Sequence, residues 1–158
     1  ALEVQKPVTG VALNDKEAII SIINVPDNPG VAGEIFAQLA QKGVNVDMII
    51  QSVQQGATNN ISFSVIEEDL SLAVKTSEAV ASTMGAKVIA DTSIAKISCV
   101  GIGMISKPGI AAKMFSALGE SKINILRITT SEIKISCAIK REDAQKALEI
   151  LHKSFELG

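Results

Sequence analysis

A Pro-Gly turn occurs twice in the sequence, in the stretches VPDNPGVAG and ISKPGIAAK, and each copy lies between an apolar run and a segment with helical periodicity. The second copy, at Pro108 and Gly109, follows Pro29 and Gly30 by 79 residues. Backbone N–H groups at the start of a helix have no intrahelical partner and favour an anion, and glycine lets a ligand approach the main chain closely. Both turns are therefore candidate sites for the carboxylate of a small molecule such as an amino acid.

Polar side chains near the first turn could bind the other charge of an amino acid. Asp27 precedes this turn, and Asp47 and Gln51 are polar residues in a predicted strand that is otherwise apolar. Carboxylate and amide oxygens accept hydrogen bonds from an ammonium group, so the three residues are a candidate clamp for a zwitterion. Asp27 and Asn28 have an alternative role as helix N-caps, which contribute about 1 kcal/mol without any ligand.

Two further features accompany the turns. Asn45 and Asn124 are 79 residues apart, like the glycines, and each precedes a predicted strand. They are candidate ligand contacts, or they are asparagines that allow a left-handed turn between helix and strand. The hydroxyl-rich stretch Thr129–Glu132 is either a ligand contact or a tight turn between two strands.

The elements that position these residues follow a β-α-β-β-α-β order that begins twice. β-branched runs bounded by turn residues predict strands, and apolar residues at helical spacing predict helices. The order predicts an α+β fold of tandem ferredoxin-like βαββαβ units, with antiparallel sheets and helices on one face. The predicted elements are strand 17–25, helix 31–42, strands 45–53 and 60–66, helix 69–84 and strand 86–90, then strand 94–100, helix 110–118, strands 123–128 and 133–139, and helix 142–155.

The repeat predicts two domains, 14–92 and 93–158. The second has no strand after its last helix, whereas residues 7–13 (PVTGVAL) form a strand-like run with no place in the first domain. We therefore expect residues 7–13 to complete the sheet of the second domain. Such an arrangement would leave no unpaired strand edge at that position.

Composition excludes several classes of partner. The net charge is −2 and the lysines and arginines are scattered, which argues against nucleic acid as a partner. Aromatic residues make up only 3% of the chain, so there is no stacking surface for single-stranded bases. No apolar run reaches the roughly 18 residues of a membrane-spanning helix, and no signal pattern opens the sequence. We expect a cytoplasmic protein without a membrane or nucleic-acid partner.

No residue pattern predicts catalysis or a bound metal. Cys99 and Cys137 lie in apolar runs and are expected to be reduced core thiols, whereas His152 is expected on a solvated helix face. A glycine pair after one strand lacks the third glycine of a dinucleotide site, because Ser106 stands there. The acidic triplet Glu67–Asp69 suits the start of a helix. We expect neither a metal nor a cofactor in this chain.

The stretches VTGVALN, VPDNPGVAGEIF, VNVDMIIQSV, ISKPGIAAKMF and INILRITTSEIKIS closely resemble the regulatory region of aspartate kinases, which is built from paired ACT units. The resemblance implies feedback control of the first step in making lysine, threonine and methionine, with threonine, lysine or both as effector. It implies an aspartate kinase catalytic domain or subunit as partner. ATP would bind only to that kinase domain, which this sequence does not include.

The resemblance also implies a homodimer in which effectors lie in the joint between units of two chains. Ala111 and Arg127 depart from the usual residues of the family, so the effector of the second unit stays open, as does whether the chain is a separate subunit or a fragment. The effector residues implied by position are Asp27, Asn28, Pro29, Gly30, Val31, Ala32, Asn45, Val46, Asp47 and Gln51, with Ile110, Ala111, Asn124, Ile125, Ser131 and Glu132.

Two other functions remain open from the sequence. A free-standing ACT-type module could regulate another enzyme or a transcription process. An acylphosphatase-like enzyme of the same fold would need an arginine and an asparagine at one phosphate site, for which Arg127 and Asn124 are weak candidates.

Overall fold

The computed structural model describes residues 8–53, 56, 58–101 and 109–157. Short 3₁₀ turns at Glu67–Asp69 and Arg141–Asp143 lead into two of the helices. In chain order the elements are β1 (Gly10–Pro26), α1 (Val31–Gln41), β2 (Ile49–Val53), β3 (Thr58–Ile66), α2 (Leu70–Thr83), β4 (Lys87–Val100), α3 (Ile110–Glu120), β5 (Arg127–Thr130), β6 (Lys134–Lys140) and α4 (Ala144–Ser154).

Two strands are longer than the sequence pattern predicts. β1 contains residues 10–13 of the predicted strand 7–13 together with the whole of 17–25, and β4 joins the predicted strands 86–90 and 94–100 from residue 87 onwards. The polar residues that separate the apolar runs, at 14–16 and 91–93, include neither glycine nor proline. The extended backbone therefore continues through them, and the prediction of separate strands was wrong.

The chain forms two compact units, and the first extends from Lys16 to Thr92. Its strand order is β2-β3-β1-β4, and β3 pairs antiparallel with both β1 and β2. Alternate residues of these strands, such as Ile20 and Phe63, are buried against α1 and α2 with Ile35 and Leu39. Helices cover one face of this sheet because only that face is continuously apolar.

The second unit contains the described residues up to Asp15 and those from Ser93 onwards. Its strand order is β1-β4-β6-β5, with β4–β6 and β5–β6 antiparallel. Val8 is 1% exposed in a core with residues of β4, β6, α3 and α4, and the Thr9 N–H donates to the Val100 carbonyl at 2.8 Å. The predicted α+β fold of two ferredoxin-like units is confirmed.

The helix-to-strand turns differ from the expectation for Asn45 and Asn124. The left-handed residues are Gly43 (φ 78°) and Lys122 (φ 62°), and neither asparagine has a positive φ. In both units the next residue donates its N–H back to the last turn of the helix at 3.0 Å, as in a Schellman motif. The left-handed residue directly follows the C-cap residue of each helix, so the proposed conformational role of the asparagines was wrong.

Both outer strands start later than predicted. β2 begins at Ile49 rather than Asn45, and β5 begins at Arg127 rather than Ile123. The residues before them form extended connections that hydrogen-bond only in part to the neighbouring strand: Asp47 N–H donates to the Ser64 carbonyl, and Leu126 N–H to the Ala138 carbonyl.

Candidate functional site

The first Pro-Gly turn leads into α1 through a left-handed glycine. Gly30, at φ 88°, occupies the N-cap position, and no side chain caps the helix. The backbone closes the turn by itself, since Val31 N–H donates to the Asn28 carbonyl at 3.3 Å and Glu34 N–H to the Gly30 carbonyl at 3.0 Å. The alternative that Asp27 or Asn28 caps α1 is therefore wrong, and the Asp27 carboxylate has another role.

The second turn repeats this backbone geometry. Gly109 is left-handed at φ 99°, and Lys113 N–H donates to its carbonyl at 2.9 Å at the start of α3. Ile110 and Ala111 begin that helix and are half-buried. The preceding residues, including Pro108 and Ser106, lie outside the described residues.

The Asp27 carboxylate is held by a buried amide that the sequence reasoning missed. Asn59 Nδ2 donates to Asp27 Oδ1 at 2.9 Å, and Asn59 is only 3% exposed whereas Asp27 is exposed. Asn59 lies on β3 opposite Val25 and Val53. The sequence does indicate that Asn59 faces the core, because it continues the alternation of Ile61, Phe63 and Val65 on the apolar face of the strand.

The three residues of the predicted clamp do not meet within the unit. Asp27 lies beside Asn59 near the start of β3, whereas Asp47 bonds through its N–H to Ser64, five residues further along that strand. Five residues of strand span about 17 Å, more than an amino acid can bridge. Gln51, which is exposed and pairs with Ile61, lies nearer the Asp27 end. The three side chains therefore do not form one clamp within a single unit, and their binding of a zwitterion stays a prediction.

The segment that carries Asn45, Val46 and Asp47 follows the far end of α1 from Gly30. Asn45 and Asp47 are exposed, and the segment is held at Met48, whose N–H donates to Ser64 Oγ at 2.9 Å. α1 has 11 residues, which correspond to about 16 Å of helix. The predicted contacts of the first unit therefore form two groups, at opposite ends of α1.

The second unit has the same division. Ile110 and Ala111 start α3, and Asn124 and Ile125 follow its other end. Ser131 and Glu132 are exposed in the turn between β5 and β6, where Ser131 N–H donates to the Lys134 carbonyl at 2.7 Å. Thr129 and Thr130 end β5, and Thr129 is half-buried, so only the last part of the hydroxyl-rich stretch lies in the turn. Its contact with a ligand stays a prediction.

Cys99 and Cys137 are buried free thiols in the second core, as predicted. Burial raises the pKa of each thiol to about 12, and for Cys137 the neighbouring Cys99 contributes to the rise. His152 is half-buried on α4. Over the described ranges no three histidine, cysteine or acidic side chains cluster in a way that could hold a metal ion, and no helix is long and apolar enough to cross a membrane.

Comparison with known proteins agrees with the repeated fold. A family model described as ACT domain matches residues 20–79 and again 97–155. An aspartate kinase of Stutzerimonas stutzeri is 43% identical over 154 residues, which are 97% of this chain and 37% of that protein. The chain thus spans well under half the length of this relative.

Two solved structures match this chain over nearly their whole length. The ligand-free regulatory subunit of aspartate kinase from Thermus thermophilus is 41% identical, with a TM-score of 0.90 over 95% of this chain and 99% of that one. A structure of aspartokinase α and β subunits is 40% identical, with a TM-score of 0.87 and the same coverage of 95% and 99%. Given both ACT matches and this end-to-end correspondence, the chain belongs to the ACT-domain family, as the regulatory part of an aspartate kinase.

Proposed function

We propose that the chain senses threonine, lysine or both and transmits their binding to an aspartate kinase catalytic domain or subunit as feedback inhibition. The observation that carries this proposal is the exposed Asp27 carboxylate beside the left-handed glycine at the start of α1. The helix start suits the α-carboxylate of an amino acid, and Asp27 suits its α-ammonium group. One turn therefore offers a partner to each charge.

The separation of the two residue groups in each unit favours a site completed by a second copy. The turn residues 27–32 and the segment 45–47 are about one helix length apart, so one amino acid cannot touch both in the same unit. A turn from one copy facing the post-helix segment of another would bring both kinds of contact to one ligand. The proposed joint draws on Asp27 to Ala32, Asn45 to Asp47 and Gln51 of the first unit and on Ile110, Ala111, Asn124, Ile125, Ser131 and Glu132 of the second. The turn and the post-helix segment that contact one ligand would come from different copies.

Exposed isoleucines on the outer strands support a homodimer. Ile49 on β2 is 52% exposed and Ile128 on β5 is 45% exposed, and the two are equivalent positions of the repeat. β2 and β5 are the outermost strands in the strand orders of their units. An outer strand with unpaired backbone groups and an exposed apolar side chain suits pairing with another copy.

Regulation would follow from a difference in effector affinity between two arrangements of the dimer. An effector shifts such an equilibrium only by its preference for one arrangement, and the kinase partner would be inactive in the preferred one. The catalytic partner is proposed from the relatives, which are aspartate kinases much longer than this chain. The kinase activity itself is proposed to reside in that partner.

Calorimetric titration of the purified chain with threonine and lysine, separately and together, tests the proposal. We expect saturable binding of at least one of them, with other amino acids as controls, and weaker binding to Asp27→Ala. Inhibition of a reconstituted kinase should be relieved by the same variant. A folded dimer that binds neither amino acid would contradict the sensing function.

A further inference from the structure

We infer that Asn59 is a positioning residue of the effector site, which sets the Asp27 carboxylate in place for the ligand's ammonium group. This inference rests on the proposed function, since it assigns a further residue to the same site. Asn59 does not lie in the turn, and 32 residues separate it from Asp27 in the sequence. Its connection to the site is the hydrogen bond of 2.9 Å from Nδ2 to Asp27 Oδ1.

Chemistry fixes the orientation of this amide. The NH₂ group of Asn59 must face Asp27, because a carboxylate only accepts hydrogen bonds and would repel the amide oxygen. Asn59 Oδ1 then points away from Asp27, and this buried atom has no hydrogen-bond partner among the residues that the structure describes. The contact with Asp27 is therefore made while an acceptor is left unsatisfied in the interior.

An unsatisfied buried acceptor lowers stability, which makes a purely structural role a poor explanation for Asn59. Leaving such an atom unpaired lowers the free energy of unfolding, whereas an apolar side chain of similar size carries no such cost. The neighbour of Asn59 in register on β1 is Val25, which is buried, so an apolar residue would suit the position. A residue that costs stability and holds an exposed carboxylate fits a binding site.

The carboxylate that Asn59 holds is available to a ligand. Among the described residues, Asp27 has no other hydrogen-bond or ion-pair partner, and its side chain is exposed. Held through Oδ1 from the interior, the carboxylate keeps Oδ2 for an incoming donor. Fixing it before the ligand arrives reduces the entropy lost on binding.

The second unit has no counterpart of this pair. Ile20 and Cys99 are equivalent positions of the repeat, and they pair with Phe63 and Ile135 respectively, so Phe63 corresponds to Ile135. Relative to this pair, β3 starts four residues earlier than β6. The position of Asn59 corresponds to Ser131, which lies in the exposed turn, and the residue 79 positions after Asp27 is Ser106. Recognition of the ammonium group by this pair thus belongs to the first unit alone.

Asn59→Val tests the inference, because valine suits a strand and removes the unsatisfied acceptor. We expect threonine or lysine, whichever the wild-type chain binds, to bind about tenfold or more weakly, the effect of losing a hydrogen bond to a charged group. Urea unfolding should show a stability equal to or above that of the wild type. Asn60→Ala is the matched control, since Asn60 is the next residue on β3 and bonds through Oδ1 to the Asn24 N–H instead.

A double-mutant cycle separates positioning from independent effects. If Asn59 acts through Asp27, adding Asn59→Val to Asp27→Ala should weaken binding little further, whereas losses that simply multiply would overturn the inference. Undiminished binding to Asn59→Val, with the wild type binding and Asp27→Ala impaired, would overturn it and leave the proposed function standing. A wild-type chain that binds neither amino acid would remove both. Should Asn59→Val fold poorly, Asn59→Ala enters the same cycle.

Discussion

Two buried side-chain oxygens lack a hydrogen-bond partner within the described residues, and we expect different consequences for binding and stability at the two positions. In the described part of the chain these atoms are Asn59 Oδ1 and Ser77 Oγ. Asn59 is connected to an exposed carboxylate at the proposed site, whereas Ser77 is fully buried on the core side of α2 near Ala73 and Ala81. The first has a functional explanation, and the second is expected to lower stability without benefit to binding.

Ser77→Ala should therefore stabilise the protein, by about 1 kcal/mol. The change removes an unsatisfied hydroxyl and introduces the best helix-forming residue. Urea unfolding measures the effect, with Ser82→Ala as control, because Ser82 is exposed on the same helix and bonds to the Ala79 carbonyl. A clear loss of stability in Ser77→Ala would mean that the Ser77 hydroxyl makes a stabilising hydrogen bond in the folded protein, which would contradict the prediction.

The two core thiols predict loss of stability at alkaline pH. Their pKa of about 12 in the folded protein lies above the ordinary value of 9.0, so the folded state holds these protons more tightly. The contribution of each thiol to the free energy of unfolding is fully present below pH 9. It decreases as the pH rises towards 12, by at most about 1.4 kcal/mol per pH unit for each thiol. Between pH 8 and 10.5 the free energy of unfolding should fall more steeply with pH for the wild type than for the double variant Cys99→Ala/Cys137→Ala. Equal slopes would contradict this prediction.

At the scale of elements, the two units use the same turn after their first helix but fill its left-handed position differently. Gly43 has φ 78°, and an added Cβ there would meet no atom within 4 Å. Lys122 occupies the equivalent place at φ 62°. The difference between the two turns is therefore conformational and does not involve packing around Gly43.

Lys122→Gly should stabilise the second unit by about 0.5 to 1 kcal/mol. The left-handed backbone costs a non-glycine residue about 1 kcal/mol, and part of the gain is lost because glycine makes the unfolded chain more flexible. The reciprocal change Gly43→Ala should cost a similar amount. Thermal or urea unfolding checks both variants, and a stabilising Gly43→Ala would contradict the argument.

The N-terminal segment offers a second test of how elements cooperate. We propose that residues 7–13 complete the second unit, as supported by the burial of Val8 and the bond from Thr9 to Val100. Deleting residues 1–13 should open the core that contains both cysteines. Thiol labelling of the native protein should then become much faster than in the full chain; equally slow labelling would show that the segment is dispensable.

At the scale of the whole molecule, the proposed dimer depends on outer strands with exposed apolar residues. Ile49→Glu combined with Ile128→Glu should weaken self-association at least tenfold, because charges placed in an interface must be desolvated. Sedimentation at several concentrations measures this change. Ile89→Glu is the control, since Ile89 is 50% exposed but lies on β4, which is not an outer strand. Equal association of all variants would place the dimer contact elsewhere.

Much of the molecule follows from the sequence because its signals are local. The 79-residue repeat, the βαββαβ order and the glycines before α1 and α3 are all readable within short windows, and each depends on backbone preferences or periodicity. Asp27 was recognisable as a candidate because it stands beside such a turn. Strand ends were less certain, since pairing partners rather than residue types decide where β1 and β4 stop.

The tertiary structure alone decided which side chains meet. Asn59 reaches Asp27 only because β3 pairs with β1, and the pairing of β2 with β3 carries Asp47 to the other end of β3. Such contacts join residues far apart in the chain, where periodicity carries no information about distance. Local preferences thus determined the units and their turns, whereas long-range strand pairing determined which residues meet at the proposed site.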